Sequence, residues 1–334
     1  MNSPTQIRLK LSANKRTWIL IILTLFFAQA SYSLTVSKEK GKRSTTRSKN
    51  GKKRVTGKVT KRVITTKTHS RDRKESVAKG VNAARKTGAT LSTTSLFGPA
   101  YAHVAVRDQQ LRGTVYYLAS GHGGPDPGAI GHYGKQALAE DEYAYDVTIR
   151  LARALLEHGA TVYMIIRDPN DGIRDEKILK VDHDEVTYPN QRIPLNQTMR
   201  LRQCTDAVNQ LHRHHKEAYQ RMVTIHVDSR SEGQTIDVFF YHHEQSKVGK
   251  RLAKHIHKSF QAGYKRSQPT RNYLGTVSDR SSLYVVRNSH PPTVFIELGN
   301  IRNEKDQRRF LLADNRQALA NWICTGLQRD YRLH

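Results

Sequence analysis

Cysteine is almost missing from this chain: Cys204 and Cys324 are the only two in 334 residues, and neither belongs to a C-x-x-C pair. A thiolate-rich zinc ribbon is thereby excluded. Long apolar runs are missing too, with one exception. "WILIILTLFFAQA", Trp18 to Ala30, spans about 13 residues, too short to cross a bilayer comfortably and about the length of a signal-peptide core. Arg8, Lys10, Lys15 and Arg16 precede it, and Ala28-Gln29-Ala30 offers a small-x-small cleavage site. Residues 1–30 therefore read as a signal peptide, with an uncleaved N-terminal anchor as the other reading. No second apolar run follows to stop transfer, so the rest of the chain is expected to be exported, to the periplasm or cell envelope. That compartment permits disulfides, although two cysteines in separate predicted helices do not establish one.

Acidic and aromatic residues are scarce in the next segment. From Thr35 to Ser95 there are 19 Lys and Arg against 3 acidic residues, and no aromatic at all. That is about +16 of a total net charge of +27. Such a composition cannot bury enough apolar surface to offset the entropy of ordering it, so residues 31–95 read as a basic, low-complexity, disordered tether. Without aromatics to stack on bases, and behind an export signal, it does not read as a nucleic-acid arm. It reads either as a solvated linker or as an arm attracted to an anionic envelope polymer or lipid surface. With the tether and the four basic leader residues set aside, the remainder is only modestly basic, about +7.

From residue 96 the texture changes, and no internal repeat is present. "TVYYLA", "TVYMIIR", "RMVTIHV", "TIDVFFYH", "SSLYVV" and "PTVFIELG" read as strands. Helical patterns separate them: Tyr143, Val147, Leu151, Ala154 and Leu155 recur at helical spacing before Gly159, and further helices are expected at 199–215, 246–261 and 306–329. Near-continuous apolar strands alternating with helices indicate an α/β fold. We expect a three-layer sandwich with a mostly parallel central sheet and helices on both faces, filling one domain over 96–334.

Ligands of open α/β sheets collect at the C-terminal ends of the strands. His122 lies just past "TVYYLA", in the glycine- and proline-rich stretch "GHGGPDPGAIG". His226 ends "RMVTIHV", Glu297 ends "PTVFIELG", and Glu140 opens the helix after the glycine loop. Two imidazoles and a carboxylate make a common catalytic zinc set, with a second carboxylate free for proton transfer. Each residue also has a plainer reading. A histidine in a chain with 16 of them is most often a surface residue, and Glu140 could simply complement a helix dipole. Glu297 fits a plain reading least, because an unpaired charge at the end of a buried strand is expensive. His212, His214 and His215 lie in a polar helix end and read as solvated, as do His242 and His243.

"GHGGPDPGAIG", a helix-opening glutamate, "LLEHGATVYMIIR", "TIHVDS" and "PTVFIELGNIRN" together resemble the zinc-dependent N-acetylmuramoyl-L-alanine amidases of the amidase-3 type, over about 113–327. The resemblance implies His122, Glu140 and His226 as ligands of one Zn2+ per chain, and Glu297 as the catalytic carboxylate. Glu142 competes with Glu140. Glu140 keeps the family's interval to the helix-ending Gly159 and lies on the core-facing stripe with Val147 and Leu151. Two departures flank the ligands: Ala119-Ser120 stand where the family commonly has an Asp followed by Pro or Ala, and Val227 replaces an alanine. The implied substrate is peptidoglycan, cut between N-acetylmuramic acid and L-alanine, and Arg167 and Arg287 are candidates for holding peptide carboxylates. The alternatives are a zinc peptidase acting on the stem peptide and a non-catalytic wall-binding protein or regulator on the same fold. Asp126-Pro127-Gly128 is expected to shape the turn.

Overall fold

The computed structural model describes residues 91–93 and 95–334. The expected signal peptide and nearly all of the expected tether lie outside the described residues. Leu91–Thr93, at the end of the stretch assigned to the tether, pairs antiparallel with His103–Ala105, so paired backbone begins ahead of residue 96.

The central sheet has six strands: β1 (Thr114–Ser120), β2 (Thr161–Met164), β3 (Tyr219–Asp228), β4 (Phe239–His242), β5 (Thr276–Asp279) and β6 (Thr293–Asn300), in the order β5-β4-β6-β3-β1-β2. Every neighbouring pair is parallel except β4 with β6. Helices α1 (Glu140–Glu157), α2 (Gln197–His214), α3 (Lys247–Ser267), α4 (Tyr284–Asn288), α5 (Glu304–Leu311) and α6 (Ala313–Arg332) complete the domain.

The strands are apolar throughout because both of their faces are covered. In β1, Tyr116 and Leu118 join the larger core beneath α1, α3 and α6, while Val115, Tyr117 and Ala119 point to the opposite core against Cys204, Val208 and Leu211 of α2. Period-two alternation thus sorts one unbroken hydrophobic run into two cores. The helix starts are marked locally as well: the side chains of Asn196 and Ser246 accept the Met199 and Gly249 amides at the N-termini of α2 and α3. The result is the expected three-layer α/β sandwich.

Several expectations are corrected. "SSLYVV" is not a strand: Tyr284–Asn288 forms the short helix α4, whose Val285 and Val286 pack on Tyr241 and Phe295. Four apolar residues facing a sheet can do so from a helical turn, and periodicity over so short a run does not separate the two. The strand expected over 161–167 divides, with Ile166–Arg167 leaving the main sheet to pair with Val186–Thr187. The last helix is two helices that meet at Leu312. Cys204 and Cys324 are buried, free, and in opposite cores, so the sheet itself separates them. No helix among the described residues is long and apolar enough to cross a membrane.

Candidate active site

Parallel pairing sets His226 of β3 directly beside Glu297 of β6, at the C-terminal edge of the sheet. Residues opposite one another in parallel strands share a face, and here it is the α2 side, where Phe295 stacks on the His226 ring at 4.2 Å between centroids. His122 follows β1 with φ at 64°, a left-handed conformation uncommon for a non-glycine residue. That backbone turns its ring toward His226, edge-on at 5.3 Å.

Glu140, first residue of α1, stands between the two rings. Its Oε2 lies 3.2 Å from His122 Nε2 and its Oε1 3.0 Å from His226 Nδ1. The Ala129 and Val227 amides donate to the same carboxylate at 3.0 and 3.1 Å, fixing its plane. One nitrogen or oxygen from each of His122, Glu140 and His226 falls within 4.8 Å of the others, a grouping that could hold a metal ion. Two glycines make room for it. A Cβ on Gly121 would meet the His226 ring at 2.2 Å, and one on Gly128 would meet His122 at 2.7 Å and Glu140 Oε2 at 2.8 Å. The glycine loop is therefore the floor of the site as well as a turn.

His122 is oriented from behind. Its Nδ1 lies 2.9 Å from Asp126 Oδ2, and Arg200 of α2 pairs with that same carboxylate. Asp126 Oδ1 also accepts the Gly128 amide at 3.2 Å, so the residue shapes the turn as expected and holds the ring too. Carboxylate contact at Nδ1 keeps a proton there and fixes the ring so that Nε2 points at Glu140. The electrostatics follow. Burial opposes a charge on His122, but Asp126 and Glu140 outweigh it and raise the imidazole to about 10. Asp126 in turn is drawn down to about 2, mainly by its bond to His122. Burial lowers His226, whereas Glu140 is held well below the carboxylate range because contacts with both rings exceed the cost of burial. Two carboxylates facing one imidazole create a demand for positive charge at this point.

Glu297 stands outside the trio. It is 9% exposed, and its Oε2 has no hydrogen-bond partner. Burial, then Glu140 and Asp228, push it well above the ordinary carboxyl value. Arg280 and Arg230 share its field. Arg167 instead bonds Asn190, and Arg287 lies on α4. A cavity of about 210 Å³ opens against the two imidazoles of the trio, walled by Ser120, His122, Arg200, Thr224, His226 and Phe295 among others.

Glu142, the competing ligand, faces away: it pairs with Arg174 at 2.9 Å and accepts the Asp182 amide at 2.9 Å. The histidines expected to be solvated are mostly engaged. His212 contacts Gln220 at 2.8 Å, His215 contacts Tyr163 at 2.8 Å, and His242 is only 3% exposed. Arg200 carries no signal in the sequence, because nothing in α2 shows which arginine turns toward a loop 74 residues upstream.

Comparison with known proteins gives a family match across most of the domain. The model of the N-acetylmuramoyl-L-alanine amidase family matches residues 117–329. No curated protein matches this chain. Similar solved structures include the amidase AmiC2 of Nostoc punctiforme, 18% identical over 67% of this chain and 99% of that one, with a TM-score of 0.46. Another is the CwlD amidase from Clostridioides difficile in complex with the GerS lipoprotein, at 19% identity, 66% and 99% coverage and a TM-score of 0.49. Ami1 from Mycobacterium smegmatis is 18% identical, with 67% and 99% coverage and a TM-score of 0.49.

Proposed function

This chain belongs to the N-acetylmuramoyl-L-alanine amidase family, and from that premise we propose how its residues hydrolyse the amide between N-acetylmuramic acid and the L-alanine of the stem peptide. His122, Glu140 and His226 are the ligands of one zinc ion, and Glu297 is the acid–base group. The observation that carries this reading is the convergence of two imidazoles and one buried carboxylate within 4.8 Å, beside a second buried carboxylate that has a free oxygen. The donor set fits zinc: mixed nitrogen and oxygen, three protein ligands, and Asp126 fixing the tautomer of His122 from outside. Zinc held there would supply Lewis acidity toward a water and toward the scissile carbonyl.

The chain's own part is positioning and proton transfer. Glu297 takes a proton from water as the water oxygen bonds to the lactyl carbonyl carbon. When the C–N bond breaks, the same carboxyl delivers the proton to the departing amine of L-alanine, leaving a carboxylic acid on the lactyl group that then ionises to solvent. Burial beside Glu140 and Asp228 raises its proton affinity, which suits a group that must hold a proton between the two steps. The cavity against Phe295 and Thr224 offers the substrate a largely apolar wall on the α2 side.

Residues 1–30 act in this proposal as an export signal, and residues 31–95 as a tether between the catalytic domain and an anionic envelope surface. Their composition supports this: an apolar core behind four basic residues, then 19 basic residues against 3 acidic. The deciding experiment digests purified sacculi with the full chain and identifies the products by mass spectrometry. Release of intact stem peptides that begin with L-alanine is expected. Fragments cut between amino acids would overturn the assignment in favour of a peptidase.

A further inference from the structure

Glu140 is followed in α1 by two more acids, and these face a different place. Asp141, Glu142 and Glu185 bring carboxylate oxygens within 4.8 Å of one another, and Asp168, Asp182 and Glu185 do the same. Glu185 is common to both groups, so the cluster holds five carboxylates, four of them around Glu185. Four are almost fully buried: Asp141 is 2% exposed, Glu142 1%, Asp168 2% and Glu185 4%. Arg174 neutralises Glu142 and is shared with Asp171. Among the described residues, no ion pair reaches Asp141, Asp168, Asp182 or Glu185.

Their hydrogen bonds show which oxygens remain. Asp141 Oδ1 accepts the Glu142 amide at 2.9 Å, and Asp168 Oδ1 accepts the Asn170 and Asp171 amides at 2.9 and 2.7 Å. Glu185 Oε2 accepts the Gly124 amide at 2.6 Å. Three buried oxygens are left with no partner: Asp141 Oδ2, Asp168 Oδ2 and Asp182 Oδ1. Unpartnered carboxylate oxygens on side chains 2% exposed are costly unless something positive meets them.

We propose that Asp141, Glu142, Asp168, Asp182 and Glu185 form a second cation site, for a hard divalent ion of the calcium class, separate from the His122–Glu140–His226 trio. The donors are all oxygen, with no imidazole or thiolate among them, which selects calcium over zinc. Backbone amides already orient Asp141, Glu142, Asp168 and Glu185, so the free oxygens of Asp141 and Asp168 are held in place for a ligand. The position has a structural consequence. Gly124 lies two residues after His122, and its amide and carbonyl are held by Glu185 and by His183 Nδ1 at 2.9 Å. An ion around Glu185 therefore ties the His122 loop to the first turn of α1 and to the segment 168–185.

The test uses the full chain loaded with zinc, titrated with calcium chloride alone. Calorimetry is expected to show one Ca2+ per chain. The melting temperature should rise by about 5 °C or more at an ion concentration roughly 100-fold above Kd, for a domain of this size. Tb3+ gives an independent reading, because the Tyr145 hydroxyl lies 3.4 Å from the Asp168 carbonyl oxygen and can sensitise its luminescence. Calcium should displace that signal. The double variant Asp168→Asn/Glu185→Gln should lose calcium uptake while keeping its zinc. Asp182→Asn, at a half-buried position that the fold tolerates more easily, should weaken calcium by roughly tenfold or more. The proposal is overturned if millimolar calcium neither binds nor moves the melting temperature, which would leave the carboxyls sharing protons instead. It is equally overturned if Asp182→Asn binds calcium as the parent does.

Discussion

Replacing Glu297 by glutamine removes one ionisable oxygen and almost no volume, so it separates proton transfer from packing. Glu297 is 9% exposed, lies outside the His122–Glu140–His226 trio and has a free Oε2. The variant should therefore keep its fold and its full complement of zinc. Its turnover should fall by roughly 2–4 decades, or about 3–5 kcal/mol in barrier, the usual scale for a positioned acid–base group. Stability should shift in a way that a bystander would not show. A carboxyl raised well above its usual value binds more protons in the folded than in the unfolded chain. In metal-free protein, its contribution therefore falls as pH rises from its unfolded value through its folded one. Glutamine has no such dependence, so the melting temperature of the variant relative to the parent should climb with pH over that window. The assays are muropeptide turnover, zinc content by elemental analysis, and melting curves of metal-free protein between pH 4 and 8. Turnover within about threefold of the parent would refute the acid–base role, and loss of zinc would make Glu297 a ligand.

Glu140→Ala should lower zinc content far more than Glu142→Ala, because Glu140 meets both rings while Glu142 is committed to Arg174; elemental analysis decides it. Asp126→Asn should cost about 10–100-fold in zinc affinity or turnover by loosening His122, measured by competition with a chelating dye. Gly128→Ala should lose zinc, since its Cβ would enter the His122–Glu140 contact. Gly134→Ala, also at positive φ but facing open space, should cost only about 1 kcal/mol of stability by thermal melting. Replacing the Lys and Arg of 35–95 by Ser and Gln at constant length should leave activity on soluble muropeptides unchanged. It should lower activity on sacculi at low salt, with the gap closing as salt screens the charge. Equal activity on sacculi would mean that only the tether's length matters.

The architecture was legible because its strands are buried on both faces, and a near-continuous apolar run such as Thr114–Ser120 fits little besides a strand between two layers. The four residues of the proposed centre were legible because three end strands or follow them, where an α/β sheet collects its ligands. Irregular segments and side-chain reach were not legible. "SSLYVV" carries the composition of a strand and folds as the helix α4. The orientation of Arg200 toward Asp126 depends on how α2 docks, which no local pattern encodes. The stretch 168–185 has no periodicity at all, yet it supplies Asp168, Asp182 and Glu185.

The acidic start of α1 shows why composition alone reads such a turn too simply. Three consecutive acids at a helix N-terminus look like a response to the dipole, and each gains something from that field. But consecutive helical residues point about 100° apart, so three of them cannot serve one purpose. Glu140 faces the C-terminal sheet edge, where two rings meet it. Asp141 and Glu142 face the segment 168–185, where Glu185 and Arg174 meet them. All three are buried, so each needs its own partner, and the helix start becomes the wall between two charged centres. Moving this helix by one residue would put an acid of the wrong length and direction between His122 and His226. The glycine loop that precedes α1 sets its starting point: the Glu140 amide donates to the Ala129 carbonyl at 3.0 Å and the Asp141 amide to the Pro127 carbonyl at 3.3 Å. The rigidity of "GPDPG" thus fixes which of the three acids reaches the imidazoles.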